Sequence, residues 1–124
     1  MLLLSFVLLL IAALLGTALA ALHLRGVGNA RPPRWVWGAL HGVLGTIGLG
    51  ALVLALRGPP RGEAMGVGPF GRIAAVVLTL ALLAGLAVLL SRLRYRRMPG
   101  LVIGIHATIA VSGVVILAAY TLVG

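Results

Sequence analysis

Apolar residues fill four long stretches of this chain, at residues 2–24, 35–56, 73–90 and 101–123, and polar residues gather between them. Each stretch is close to the ~20 residues that a helix needs to cross a bilayer core. The connections, RGVGNARPPR, RGPPRGEAMGVGPFGR and SRLRYRRMPG, are rich in Gly, Pro and Arg, as helix-ending segments should be. The pattern predicts an all-α fold, an integral membrane four-helix bundle forming one transmembrane domain over residues 1–124. Short connections make consecutive helices antiparallel, so the expected order is up-down-up-down. Only the second connection is long enough for a small ordered flap, and Pro59, Pro60 and Pro69 disfavour a continuous helix there.

Composition supports the membrane class. Of 124 residues, 62% are hydrophobic, and the mean hydropathy is +1.24. Ala18–Ala20 (ALA) resembles a signal-peptide cleavage site, but no basic segment precedes the first stretch and its apolar run is long, so a retained helix is expected. The net charge of +9 comes from ten arginines, all in connections or at helix ends. Arginines so placed mark orientation and anionic headgroups. With no soluble domain to present a basic face, nucleic acid is not an expected partner, and the lipid bilayer is.

Arg25, Arg31, Arg34, Arg92, Arg94, Arg96 and Arg97 flank the first and third connections, while Arg57, Arg61 and Arg72, offset by Glu63, flank the second. The positive-inside rule places the first and third connections in the cytoplasm and both termini on the opposite side of a bacterial inner membrane. Trp35, Trp37 and Tyr95 then sit at the cytoplasmic boundary, where amphipathic rings prefer to be. The chain has no cysteine, which removes disulfides, thiolate haem ligation, iron–sulfur clusters and covalent haem attachment through CxxCH.

Two histidines fall inside apolar stretches: His41 in LHGVLGTIGLGAL and His106 in IHATIAVSGVVIL. An ionisable side chain within a membrane span is a functional-site hypothesis by default. Each lies roughly 9 Å from the start of its helix at 1.5 Å per residue, and the second and fourth helices run in the same direction. Equal depth lets both rings meet one ligand. The motif His-x3-small-x2-Gly-x3-Leu occurs twice, as His41, Gly45, Gly48, Leu52 and as His106, Ala110, Gly113, Leu117. The preceding arms, LLGTALAALHLR and LLAGLAVLLSRLR, are also alike, so a tandem duplication of a helical hairpin is expected. Residues at i, i+4 and i+7 share a helix face, so Gly45, Gly48, Ala110 and Gly113 are expected to give clearance beside the histidines. The plainer alternatives are a histidine hydrogen-bonded to a neighbouring helix, and small residues such as Gly38/Gly42 and Gly100/Gly104 serving helix packing alone.

Zinc usually takes three or four ligands, and the helices add no carboxylate or thiolate. Copper favours Met, Cys or further His, and Met1, Met65 and Met98 lie outside the spans. One haem b needs two axial imidazoles, an apolar slot and counter-charges for its propionates. His41 and His106 are therefore the candidate metal ligands, and Arg34 and Arg97, with Arg31 and Arg96, lie at the right end of the bundle for the propionates.

With His41, His106 and their small-residue partners, the chain resembles the membrane b-type cytochromes, four-helix bundles with bis-histidine haem. The resemblance implies electron transfer, quinone chemistry, and a redox partner or larger membrane complex. It does not extend to a second haem: many such proteins carry four histidines, whereas His23 is the only other one here, at the end of the first span. His23 is expected to be interfacial. A structural or bacteriochlorophyll-binding subunit of a photosynthetic or respiratory complex is the main alternative. A small proton-coupled transporter fits less well, because the only acid, Glu63, lies in a connection.

Overall fold

A computed structural model describes residues 1–25, 34–94 and 100–123, leaving out the side chain of Arg34. The chain forms α1 (Leu2–Leu24), α2 (Arg34–Ala55), a single 3-10 turn at Glu63–Met65, α3 (Phe70–Arg94) and α4 (Gly100–Val123). All four α-helices are long and apolar enough to cross a membrane, and no strand occurs among the described residues. Many large apolar side chains point outward, among them Leu14, Val76, Leu83, Val115 and Leu122. Such a surface is costly in water and suited to lipid.

Three helices match the apolar stretches to within a residue at each end. The third is longer than the expected 73–90 in both directions. Its first turn begins directly after Pro69, whose carbonyl accepts the Ile73 N–H at 3.1 Å. Its last turn carries Arg92 and Arg94, cations that complement the helix C-terminal dipole. Hydropathy marks where a helix is apolar; hydrogen bonding continues as far as nothing breaks it. In the second connection, Gly62 and Gly66 take left-handed conformations (φ 69° and 72°) on either side of the 3-10 turn, which glycine adopts without strain.

A hydroxyl in hydrocarbon needs a local acceptor. Thr17, Thr46, Thr79, Thr108, Ser112 and Thr121 each donate to the carbonyl four residues back, at 2.7–2.9 Å. Ser5 differs: it is fully buried and donates across helices to Gly48 O at 2.9 Å.

Helices α1 and α2 pack closely, as do α3 and α4. Ser5 meets Gly48 and Ala12 meets His41, so contacts advance along α1 as they retreat along α2. In the second hairpin Gly71 faces Tyr120 and Ala81 meets His106, the same opposed direction. The hairpins touch mainly through α1 and α4, and α2 and α3 approach each other less.

Burial is uneven along the bundle. The core consists of Leu2, Leu9, Leu49, Leu52, Ala74, Leu78, Val114, Leu117 and Tyr120, with Leu52 and Leu117 fully enclosed. Among the described residues of the helices, every buried one lies on one side of the histidine level: none in α1 follows Ala12, none in α2 precedes Gly48, none in α3 follows Ala81 and none in α4 precedes Gly113. The fully buried side chains thus gather in one half of the bundle, and the half bearing the arginine-rich ends of the helices is packed through half-buried and small residues.

The paired histidines at the edge of the core

His41 and His106 meet at the boundary between those halves. Their ring centres are 5.9 Å apart and their planes are 88° from parallel. Helix α2 delivers one ring and α4 the other, each held by the hairpin to which it belongs. His41 Nδ1–H donates to Ala12 O at 2.7 Å, and His106 Nδ1–H donates to Ala81 O at 2.9 Å. A carbonyl can only accept, so in each neutral ring the proton is on Nδ1 and the lone pair on Nε2.

Glycine makes this approach possible. A Cβ at Gly16 would lie 2.8 Å from His41 Cε1, and one at Gly85 would lie 3.0 Å from His106 Cε1. Neither glycine stands out in the sequence by itself. The signal that finds them is the likeness of the two hairpin arms, since Ala12 and Ala81, and Gly16 and Gly85, are separated by the same 69 positions.

The expected clearance residues divide into two groups. Ala110 lines a small cavity beside the two histidines, with residues of α1 such as Ala13, Gly16 and Thr17 and of α4 such as Ile103 and Ala107. Gly45 is half-buried, one turn from His41, and a Cβ there would meet nothing within 4 Å. Gly48 and Gly113 do something else: they are buried against the preceding helix. A Cβ at Gly48 would come within 2.8 Å of Leu9 Cγ, and one at Gly113 within 2.7 Å of Leu78 Cγ. These two glycines serve close packing within each hairpin, and neither lines the small cavity beside the rings. Arg97 lies outside the described residues, as do Arg31, Arg96 and Tyr95, and Arg34 is described only as the first residue of α2. His23 is exposed near the end of α1.

Among the described residues no group of three or more His, Cys, Asp or Glu side chains converges. The two side chains that do meet at this point are imidazoles, His41 and His106. An imidazole nitrogen binds a first-row metal at about 2 Å and its ring centre lies ~1 Å behind, so two trans imidazoles place their centres ~6 Å apart. The observed 5.9 Å is close to that spacing and also within the ~4.5–7 Å of ordinary edge-to-face ring contact. The cavity beside the rings is about 40 Å³, whereas cofactor pockets run to about 300–1,000 Å³. A macrocycle fits only if the helices part around it. Among the described residues, no side chain beyond the histidine level is fully buried, so that is the side on which the helices would have to part. Comparison of the chain with protein-family models, with curated proteins and with solved structures gives no match.

Proposed function

We propose that the protein is a membrane b-type cytochrome, or a cytochrome-like subunit, that holds one haem b between His41 and His106 and transfers electrons. The observation that carries this reading is the histidine pair: two rings 5.9 Å apart, each held through Nδ1 on a backbone carbonyl. The second partner of a metal-bound histidine is usually a carbonyl or carboxylate of this kind, which orients the ring and raises its basicity. Haem iron supplies a one-electron ferric–ferrous couple when bound. The chain's own part is to present two Nε2 lone pairs at fixed depth, to surround them with apolar small residues, and to keep bulk water away. The reading includes a lipid-soluble quinol or a membrane redox partner as electron donor. It also includes a bacterial inner membrane location with both termini on the non-cytoplasmic side, following the arginine distribution.

The test is a reduced-minus-oxidised spectrum of the purified protein with pyridine haemochrome quantitation. One haem b per chain is expected, with a low-spin spectrum that His41→Ala and His106→Ala each abolish and His23→Ala retains. Full haem content in both ligand variants would refute the assignment. Near-infrared absorbance in place of sharp reduced α and β bands would transfer the pair to a bacteriochlorophyll.

A further inference from the structure

We infer that Gly16 and Gly85 are positioning residues that select which nitrogen of each histidine is free to bind a ligand. The inference rests on the haem reading for its effect on affinity and potential, and on the protein alone for its effect on the rings. The two sites share one design. A carbonyl on the hairpin's first helix accepts the histidine N–H, and the residue four positions later is glycine: Ala12 with Gly16, Ala81 with Gly85. In an α-helix the N–H of residue i+4 points at the carbonyl of residue i. A side chain at i+4 would thus stand where the imidazole must pass to reach that carbonyl.

The distances show how closely the rings pass. A Cβ at Gly16 would be 2.8, 3.1 and 3.5 Å from His41 Cε1, Nδ1 and Nε2; one at Gly85 would be 3.0, 3.4 and 3.6 Å from the same atoms of His106. Restoring ordinary contact would push His41 by ~0.6 Å and His106 by ~0.4 Å away from the helix that carries the accepting carbonyl, lengthening bonds that now measure 2.7 and 2.9 Å toward the ~3.2 Å upper end of N–H···O geometry. A ring freed from its carbonyl no longer has its proton fixed on Nδ1. The proton then distributes over both nitrogens, and Nε2 is available only part of the time.

The test begins without haem. Apoprotein carrying 15N-labelled histidine, in lipid nanodiscs, is read by NMR of the ring nitrogens. In the wild type both buried-side rings should show protonated Nδ1 and unprotonated Nε2. Gly16→Ala should convert His41 to a mixture and leave His106 unchanged, and Gly85→Ala should do the reverse, more weakly. Should Gly16→Ala not fold, Gly85→Ala, with its smaller overlap, carries the test. The holoprotein gives the second readout. Loss of an outer partner typically costs a metal site about 10–100-fold in affinity, so haem should bind that much more weakly in Gly16→Ala. The midpoint potential should rise, because a less electron-rich imidazole favours ferrous iron. Gly104→Ala, where a Cβ meets nothing within 4 Å, should change none of these. Unaltered tautomers in both alanine variants would overturn the inference while leaving haem binding intact. A wild type with fixed tautomers that takes up no haem would overturn the proposed function and leave this inference standing.

Discussion

Gly48 and Gly50 are two residues apart on α2, and replacing each with alanine separates packing from helix propensity. Alanine gains about 1 kcal/mol over glycine in a helix interior at either position. At Gly50 nothing lies within 4 Å of the added Cβ, so the gain stands alone. At Gly48 the Cβ would come within 2.8 Å of Leu9 Cγ and 3.2 Å of both Leu8 Cβ and Leu9 Cδ2. Leu9 is only 5% exposed and cannot swing aside. Overfilling such a site costs about 1–3 kcal/mol. The propensity gain cancels in the comparison, so Gly48→Ala should be less stable than Gly50→Ala by about 1–3 kcal/mol, or ~5–150-fold in the unfolding equilibrium. Titration with SDS in mixed micelles, followed by far-UV circular dichroism, measures it. Haem per folded protein should be the same in both variants, since Gly48 touches α1 and not the space between the rings. A stability difference under about 0.5 kcal/mol, within the range of ordinary surface substitutions, would refute the packing role. A selective loss of haem from Gly48→Ala would return this residue to the cofactor site.

Ser5→Ala removes the buried hydroxyl that bonds Gly48 O, and the same titration should show a loss of about 0.6 kcal/mol, 1.7 at most; no loss would mean that the hydroxyl finds an equal partner elsewhere. The 88° angle between the imidazole planes predicts a strongly anisotropic low-spin ferric signal in electron paramagnetic resonance, and the rhombic signal of near-parallel rings would show that the histidines rotate on loading.

The helices were legible in the sequence because hydropathy and breakers mark them independently of packing. The ends of α3 were not, since Phe70–Arg72 and Ser91–Arg94 lie beyond the apolar stretch yet continue the hydrogen-bond ladder. The histidine pair was legible because cost in lipid and depth from the helix start are both properties of one helix. The contacts of Gly48 and Gly113 with the preceding helix were not legible, for the opposite reason. The i+7 position shares the histidine's face, but that face is broad enough to meet the preceding helix as well as the bundle centre. Only the position of Leu9 and Leu78 decides between them. Gly16 and Gly85 depend on a contact between two helices, which no spacing within one helix can reveal.

The uneven burial along the bundle bears on how such a protein is assembled in the cell. A flat, bulky molecule cannot slip into a uniformly sealed set of helices; it must arrive before they close or wait for them to come apart entirely. Here the closed end, from Leu9 and Leu78 to Leu52 and Leu117, fixes the register of the four helices without help. The imidazoles therefore already face each other before any guest is present. If a haem binds as proposed, the other end, where no described side chain is fully buried, is where the helices would have to separate to admit it. On that reading, loading would be a step separable from membrane insertion, because the packed end needs no guest to set the register of the helices.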